Sequence, residues 1–245
     1  MPKWRNEAAE QGVALVIPHD KPIPALLELI TAWVPDLSPK HRTAASSIPA
    51  FIPPPLRSIY ELAGNWPIPY TEQWRPPRFI AGLFGTQDYL LPLDQLLVKG
   101  DRFRFIHENQ GVWSCETLIN EDDPPVFSDA VAIDYSDEGM REVCPSLSHF
   151  LITFCLQELA FGSQNLFCVD SEPKNPGELV KVDLKPLWLD GMYAYKGAKY
   201  SFWLCDRDLM IMSTSMATPG DYWLAYNKEE ASKLLGTKHE IRRIH

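Results

Sequence analysis

An α+β fold, with a mainly antiparallel sheet flanked by a few helices, is what the sequence predicts, and three observations predict it. Apolar residues recur at helical spacing in a few segments, most clearly over 147–161. Arg102-Phe103-Arg104-Phe105 alternates strictly, as a half-buried strand does. After residue 163 the chain becomes a series of short strand-like runs separated by turn residues.

Taken in order, residues 1–52 read as a Pro-rich N-terminal extension. It holds one short helix over 24–34, where Leu26, Leu27, Ile30, Trp33 and Val34 recur at helical spacing behind Pro24. The run Pro53-Pro54-Pro55 closes that extension and opens a helix over 55–63, with Leu56, Ile59, Tyr60 and Ala63 on one face and Gly64-Asn65 at its end. Strands are expected over 78–84 and from Arg102, with Phe103 and Phe105 facing the core. Glu108-Asn109-Gln110-Gly111 then turns the chain, Asn109 and Gly111 being the residues best able to take positive φ. A partner strand over 112–119 completes an antiparallel hairpin.

Ser146 is placed to cap the helix over 147–161, which presents a broad apolar face and stops at Gly162. Strands follow over 165–169, 179–189, 199–205, 209–214 and 221–226, linked by turns, which predicts antiparallel meanders. Asn227 and Glu230 have capping-box spacing before a last helix that ends at Gly236. The basic tail, 238–245, is expected to fray. The division is one domain over 53–237 with an extension and a tail; two subdomains meeting near 163–176 are the alternative.

Composition bounds the function. The 245 residues are 45% hydrophobic and 11% aromatic, enough for a core that needs no covalent staples. Five widely spaced cysteines (Cys115, Cys144, Cys155, Cys168, Cys205) form no CxxC pair, so neither a disulfide framework nor a zinc site is expected. The first residues lack a signal-peptide apolar region, which points to the cytoplasm, and no apolar run approaches the roughly 18 residues of a membrane span.

A net charge of −9 disfavours binding to nucleic-acid phosphates, which draws its affinity from Lys and Arg. Between residues 116 and 142 there are nine acids against one base. Solvated loops use Asp and Glu in any case, but clustered like charge gains nothing for a fold and speeds encounter with a positive surface. Glu121, Asp122, Asp123, Asp129, Asp134, Asp137 and Glu138 are therefore the candidate residues for binding a basic protein.

Catalytic patterns are sparse: no Gly-rich phosphate loop, no GxSxG elbow and no HExxH. A thiol nucleophile, Cys144 or Cys155, with a histidine base, His107 or His149, is the one enzymatic constellation that can be drawn, as a hydrolase or transferase. Cys155 lies on an apolar helix face, where a thiol is deactivated.

The proline run followed by 56–65, the strand from Phe103, the segment Glu108-Asn109-Gln110-Gly111-Val112-Trp113, the step Asp123-Pro124-Pro125-Val126 and the helix from Leu147 together resemble the SUKH superfamily, over about 53–161. That superfamily takes its name from a yeast regulator of cell-wall glucan synthesis and includes many bacterial immunity proteins. The resemblance implies a compact α+β fold with no known enzymatic activity; no cofactor and no metal are expected. It implies work by protein contact, often against nuclease or deaminase toxins. A monomer or weak dimer is expected.

The motif residues Glu108, Asn109, Gln110, Gly111, Trp113 and Pro124 read as structural: a tight turn, a buried indole that needs one acceptor, and prolines before an edge strand. In an alternative role, Glu108 and Gln110 stand at the hairpin tip as contacts. Another alternative for the whole chain is a regulatory scaffold that binds through Trp203, Tyr222 or Trp223.

Overall fold

Three helices and two six-stranded antiparallel sheets build the molecule among the residues that a computed structural model describes: 17–18, 20–34, 36–66, 86–130, 139–169, 173, 175–206, 208–215, 221–236 and 240–244. The α+β expectation holds. The expected strand at 78–84 lies outside the described residues.

Helix α1 (Pro22–Trp33) and helix α2 (Pro54–Ala63) each begin with proline in the first turn, where a missing N–H costs nothing. The first sheet contains β1 (Asp88–Leu90), β2 (Leu97–Lys99), β3 (Arg102–Glu108), β4 (Ser114–Leu118), β5 (Val126–Ser128) and β6 (Arg141–Cys144). Its order is β1-β3-β4-β5-β6, and β2 pairs with the other end of β3. Phe103 and Phe105 are fully buried, as their alternation predicts.

Helix α3 (Leu147–Phe161) follows, and then the second sheet: β7 (Asn165–Val169), β8 (Leu184–Gly191), β9 (Lys199–Cys205), β10 (Leu209–Ser215), β11 (Asp221–Tyr226) and β12 (Ile241–Arg243), in the order β12-β7-β11-β10-β9-β8. Strands β8 to β11 form the expected meander.

Helix α3 sits where the sequence puts it but is buried on every side, not on one broad face, because it packs on α1, α2, β6, β8, β10 and β11 together. Rings carry the core through it: Phe51 meets Phe103, Phe103 meets Phe105, Phe105 meets Phe150, and Phe150 stacks on Tyr193. On the side of the second sheet, Gly191 lets β8 approach closely, since a Cβ there would come within 2.6 Å of the Thr153 hydroxyl.

Residues 1–52 are not set apart in space where they are described. Leu26, Ile30, Trp33 and Ile52 belong to the same core as α3. Asn227 caps no helix; its side-chain carbonyl accepts from Gln164 N–H and its amide donates to the Trp33 carbonyl, which ties α1 to the turn after α3. A 3-10 segment, Glu229–Leu234, replaces the expected helix. Within the tail expected to fray, Ile241–Arg243 pairs with β7, and Arg243 donates to the Asn165 side chain.

Candidate functional site

The motif hairpin is a self-contained construction. Glu108 is buried, and its carboxylate accepts the N–H groups of Gln110 (2.8 Å) and Val112 (3.2 Å). Gly111 takes φ +76°, whereas Asn109 does not adopt positive φ. A carboxylate folded back over the turn supplies what the expectation assigned to Asn109. It also removes Glu108 from the tip as a contact, leaving Gln110, Gly111 and Val112 exposed. Trp113 is buried edge-on against Tyr193 and Tyr195. Pro124 is buried and its carbonyl accepts from Leu147 N–H, but the strand it precedes, β5, lies inside the sheet between β4 and β6 and is not an edge.

The structure divides the acidic candidates into groups. Asp123 is occupied within the fold: it accepts from the Ser146 hydroxyl and from Ser148 N–H, both at 2.7 Å, where a carboxylate suits the first turn of α3. Asp129 accepts from Ser114 N–H at 2.6 Å. Glu121 and Asp122 are exposed on the loop between β4 and β5. That loop is held by Ile119 N–H on the Asp101 carbonyl and Asn120 N–H on the Phe51 carbonyl. Asp134, Asp137 and Glu138 lie outside the described residues.

The thiols and histidines do not assemble a nucleophilic site. All five cysteines are buried, and burial pushes Cys144 up to about 12 and Cys155 well above the usual thiol range. His149 is buried against the Trp188 ring, and its Nε2 accepts from Met192 N–H. The aromatic candidates are half-buried: Trp203 lies against Tyr222 and Trp223 against Phe161. Among the described residues, no group of three or more His, Cys, Asp or Glu could hold a metal ion, and no helix is long and apolar enough to cross a membrane.

One cluster escaped the sequence reading. Asp88 on β1 and Glu158 on α3 are both buried carboxylates between the two sheets. Glu158 accepts three consecutive backbone N–H groups, from Thr86, Gln87 and Asp88, at 2.6 to 3.1 Å. One oxygen of Asp88 accepts from Tyr193 (2.7 Å) and Gln157 (2.9 Å), and the other has no partner. Burial raises Asp88 to about 6 and Glu158 to about 8, with Asp88 adding repulsion to Glu158 and Glu108 to Asp88. The sequence did carry one signal: Gln157-Glu158 interrupts an otherwise apolar helix, and a charge on a wholly buried helix must find partners.

No family model, curated protein or solved structure matches the chain. Among the described residues Asp88, Gln157, Glu158 and Tyr193 are all buried. The chemistry of this cluster is that of a polar lock joining β1, α3 and the segment after β8.

Proposed function

We propose that the chain is a non-catalytic protein-binding module of the SUKH type, most simply an immunity-type protein that neutralises a basic toxin domain. The observation that carries this reading is the β4–β5 loop, which offers Glu121 and Asp122 to solvent from an anchored backbone. A rigid loop with two adjacent acids loses little entropy on docking and steers a positive partner towards it. The burial and raised pKa of Cys144 and Cys155 weigh against the hydrolase or transferase alternative. The half-burial of Trp203, Tyr222 and Trp223 weighs against a scaffold anchored on those rings.

The test is to isolate basic proteins that the chain captures and to compare the double reversal E121K/D122K with wild type by association kinetics against them. At low salt the association rate should fall about tenfold or more, and the effect should fade as salt is added. An unchanged rate removes the loop from the mechanism. Asp123 is left intact because its reversal would uncap α3.

A further inference from the structure

The edge of the first sheet is split. β1 pairs with the 106–108 end of β3, β2 pairs with the 102–104 end, and the chain between them leaves the sheet over 91–96. This opens a cavity of about 350 Å³ lined by Tyr89, Leu90, Leu91, Pro92, Leu97 and Gln95, with Arg104 and His107 from β3. Such a volume is at the lower end of small-ligand sites. The wall is pinned: the Tyr60 hydroxyl donates to the Leu91 carbonyl at 2.6 Å, and Leu91 N–H donates to the Phe105 carbonyl at 2.8 Å.

Arg104 and His107 share this cavity because of a defect in the strand. Residues three apart in a regular strand point to opposite faces. Here the register shifts between Arg104 and Ile106, so Phe105 and Ile106 both enter the core and His107 returns to the face of Arg104. Bulges of this kind re-aim side chains beside functional sites. Among the described residues the Arg104 guanidinium has a loose ion pair, 3.8 Å from Glu116, and its buried Nε has no hydrogen-bond partner. His107 Nδ1 lies 2.7 Å from the Glu108 carbonyl, which places a proton on that nitrogen and leaves Nε2 as the ring atom for a ligand.

We propose that this bulge-built cavity binds a carboxylate carried on an apolar body, with the carboxylate on Arg104 and His107 and the body against Leu90, Leu91, Pro92 and Leu97. An arginine offers a planar fork for a carboxylate, and the His107 ring stands beside it at the polar end of the cavity. The apolar walls supply the affinity that an exposed ion pair alone lacks. The ligand's source is either a free aryl or alkyl acid or the C-terminal residue of a peptide.

This inference goes beyond the toxin-binding reading, and its experiment is independent of it. The full-length chain is titrated by calorimetry with 4-phenylbutyrate, with the neutral amide of that acid, and with acetyl-Gly-Gly-Phe bearing a free carboxylate. One or both carboxylates should bind saturably, and the tighter of the two identifies the source. The amide should bind at least about tenfold more weakly, and R104Q should lose about tenfold for the acid while H107Q loses a few-fold. The amide comparison needs no variant, so it stands even if R104Q is poorly folded. Absence of saturable binding by either carboxylate at about 10 mM, or equal affinity for acid and amide, overturns the proposal. Glu121 and Asp122 lie outside the cavity, so the E121K/D122K result is unaffected either way.

Discussion

The two sheets meet their surroundings differently. The second sheet is apolar on both faces: Met210 and Met212 of β10 look towards α3, while Leu209 and Ile211 look into a second, smaller core with Leu179, Leu224 and Ala231. The 3-10 segments Pro176–Leu179 and Glu229–Leu234 supply that cover. The first sheet buries only its inner face. Its outer face carries Arg104 with Glu116 and Arg102 over the Phe127 ring, and β2 at its edge is exposed throughout. A sheet with two covered faces has little left to offer a partner. The hairpin tip, the acidic loop and the split-edge cavity all belong to the sheet with one.

The largest test of that contrast is Ile211→Ala. It removes a fully buried side chain from the doubly covered sheet and should cost about 3–4 kcal/mol in urea unfolding, because it leaves a cavity as well as losing apolar transfer energy. A cost below about 1 kcal/mol would mean the second core contributes little to the fold.

Next comes Asp88→Asn, at the lock between the sheets. The native carboxyl titrates near 6, above the ordinary aspartate value of 3.8. The folded chain therefore holds a proton that the unfolded chain has shed, and Asp88 takes stability away as pH rises through that window; Glu158, raised to about 8, extends the window upward. Asparagine keeps an acceptor for Tyr193 and Gln157 and cannot ionise. Between about pH 4 and pH 6 the stability of the variant relative to wild type should climb by up to roughly 3 kcal/mol, since Glu158 titrates in both proteins. Parallel stability curves for the two proteins would show that the pair does not titrate in the fold.

The smallest expected effect is Leu97→Ser on the open edge. Leu97 is 59% exposed, so the change in unfolding free energy should stay within about 0.5 kcal/mol. A larger loss would show that β2 is covered in solution.

Much of the second sheet was legible because its strands are long enough to carry a pattern. The bounds of β7, β9 and β11 match the expected 165–169, 199–205 and 221–226, and α3 was marked at both ends by Ser146 and Gly162. Strands β1, β2 and β12 have three residues each, too few to show a period of two. Asn227 has the right neighbours for a cap, but its partners stand 63 and 194 positions away, and no local rule sees them. The same distance hides Asp88 and Glu158. The bulge in β3 was invisible for another reason: Phe105-Ile106 reads equally well as alternation followed by the start of a buried run. Acid clustering marked the loop of Glu121 and Asp122 but not which acids are free to bind, since Asp123 and Asp129 spend their charge on backbone and hydroxyl donors.

The chain makes the first sheet, then α3, and only afterwards the second sheet. A nascent polypeptide emerging from the ribosome would thus expose an oily rod, Leu147–Phe161, with half of its surroundings still unsynthesised. A chain truncated shortly after residue 162 should be a species that chaperones hold and proteases find. Release should come only when β8 to β11 have been added to close over it.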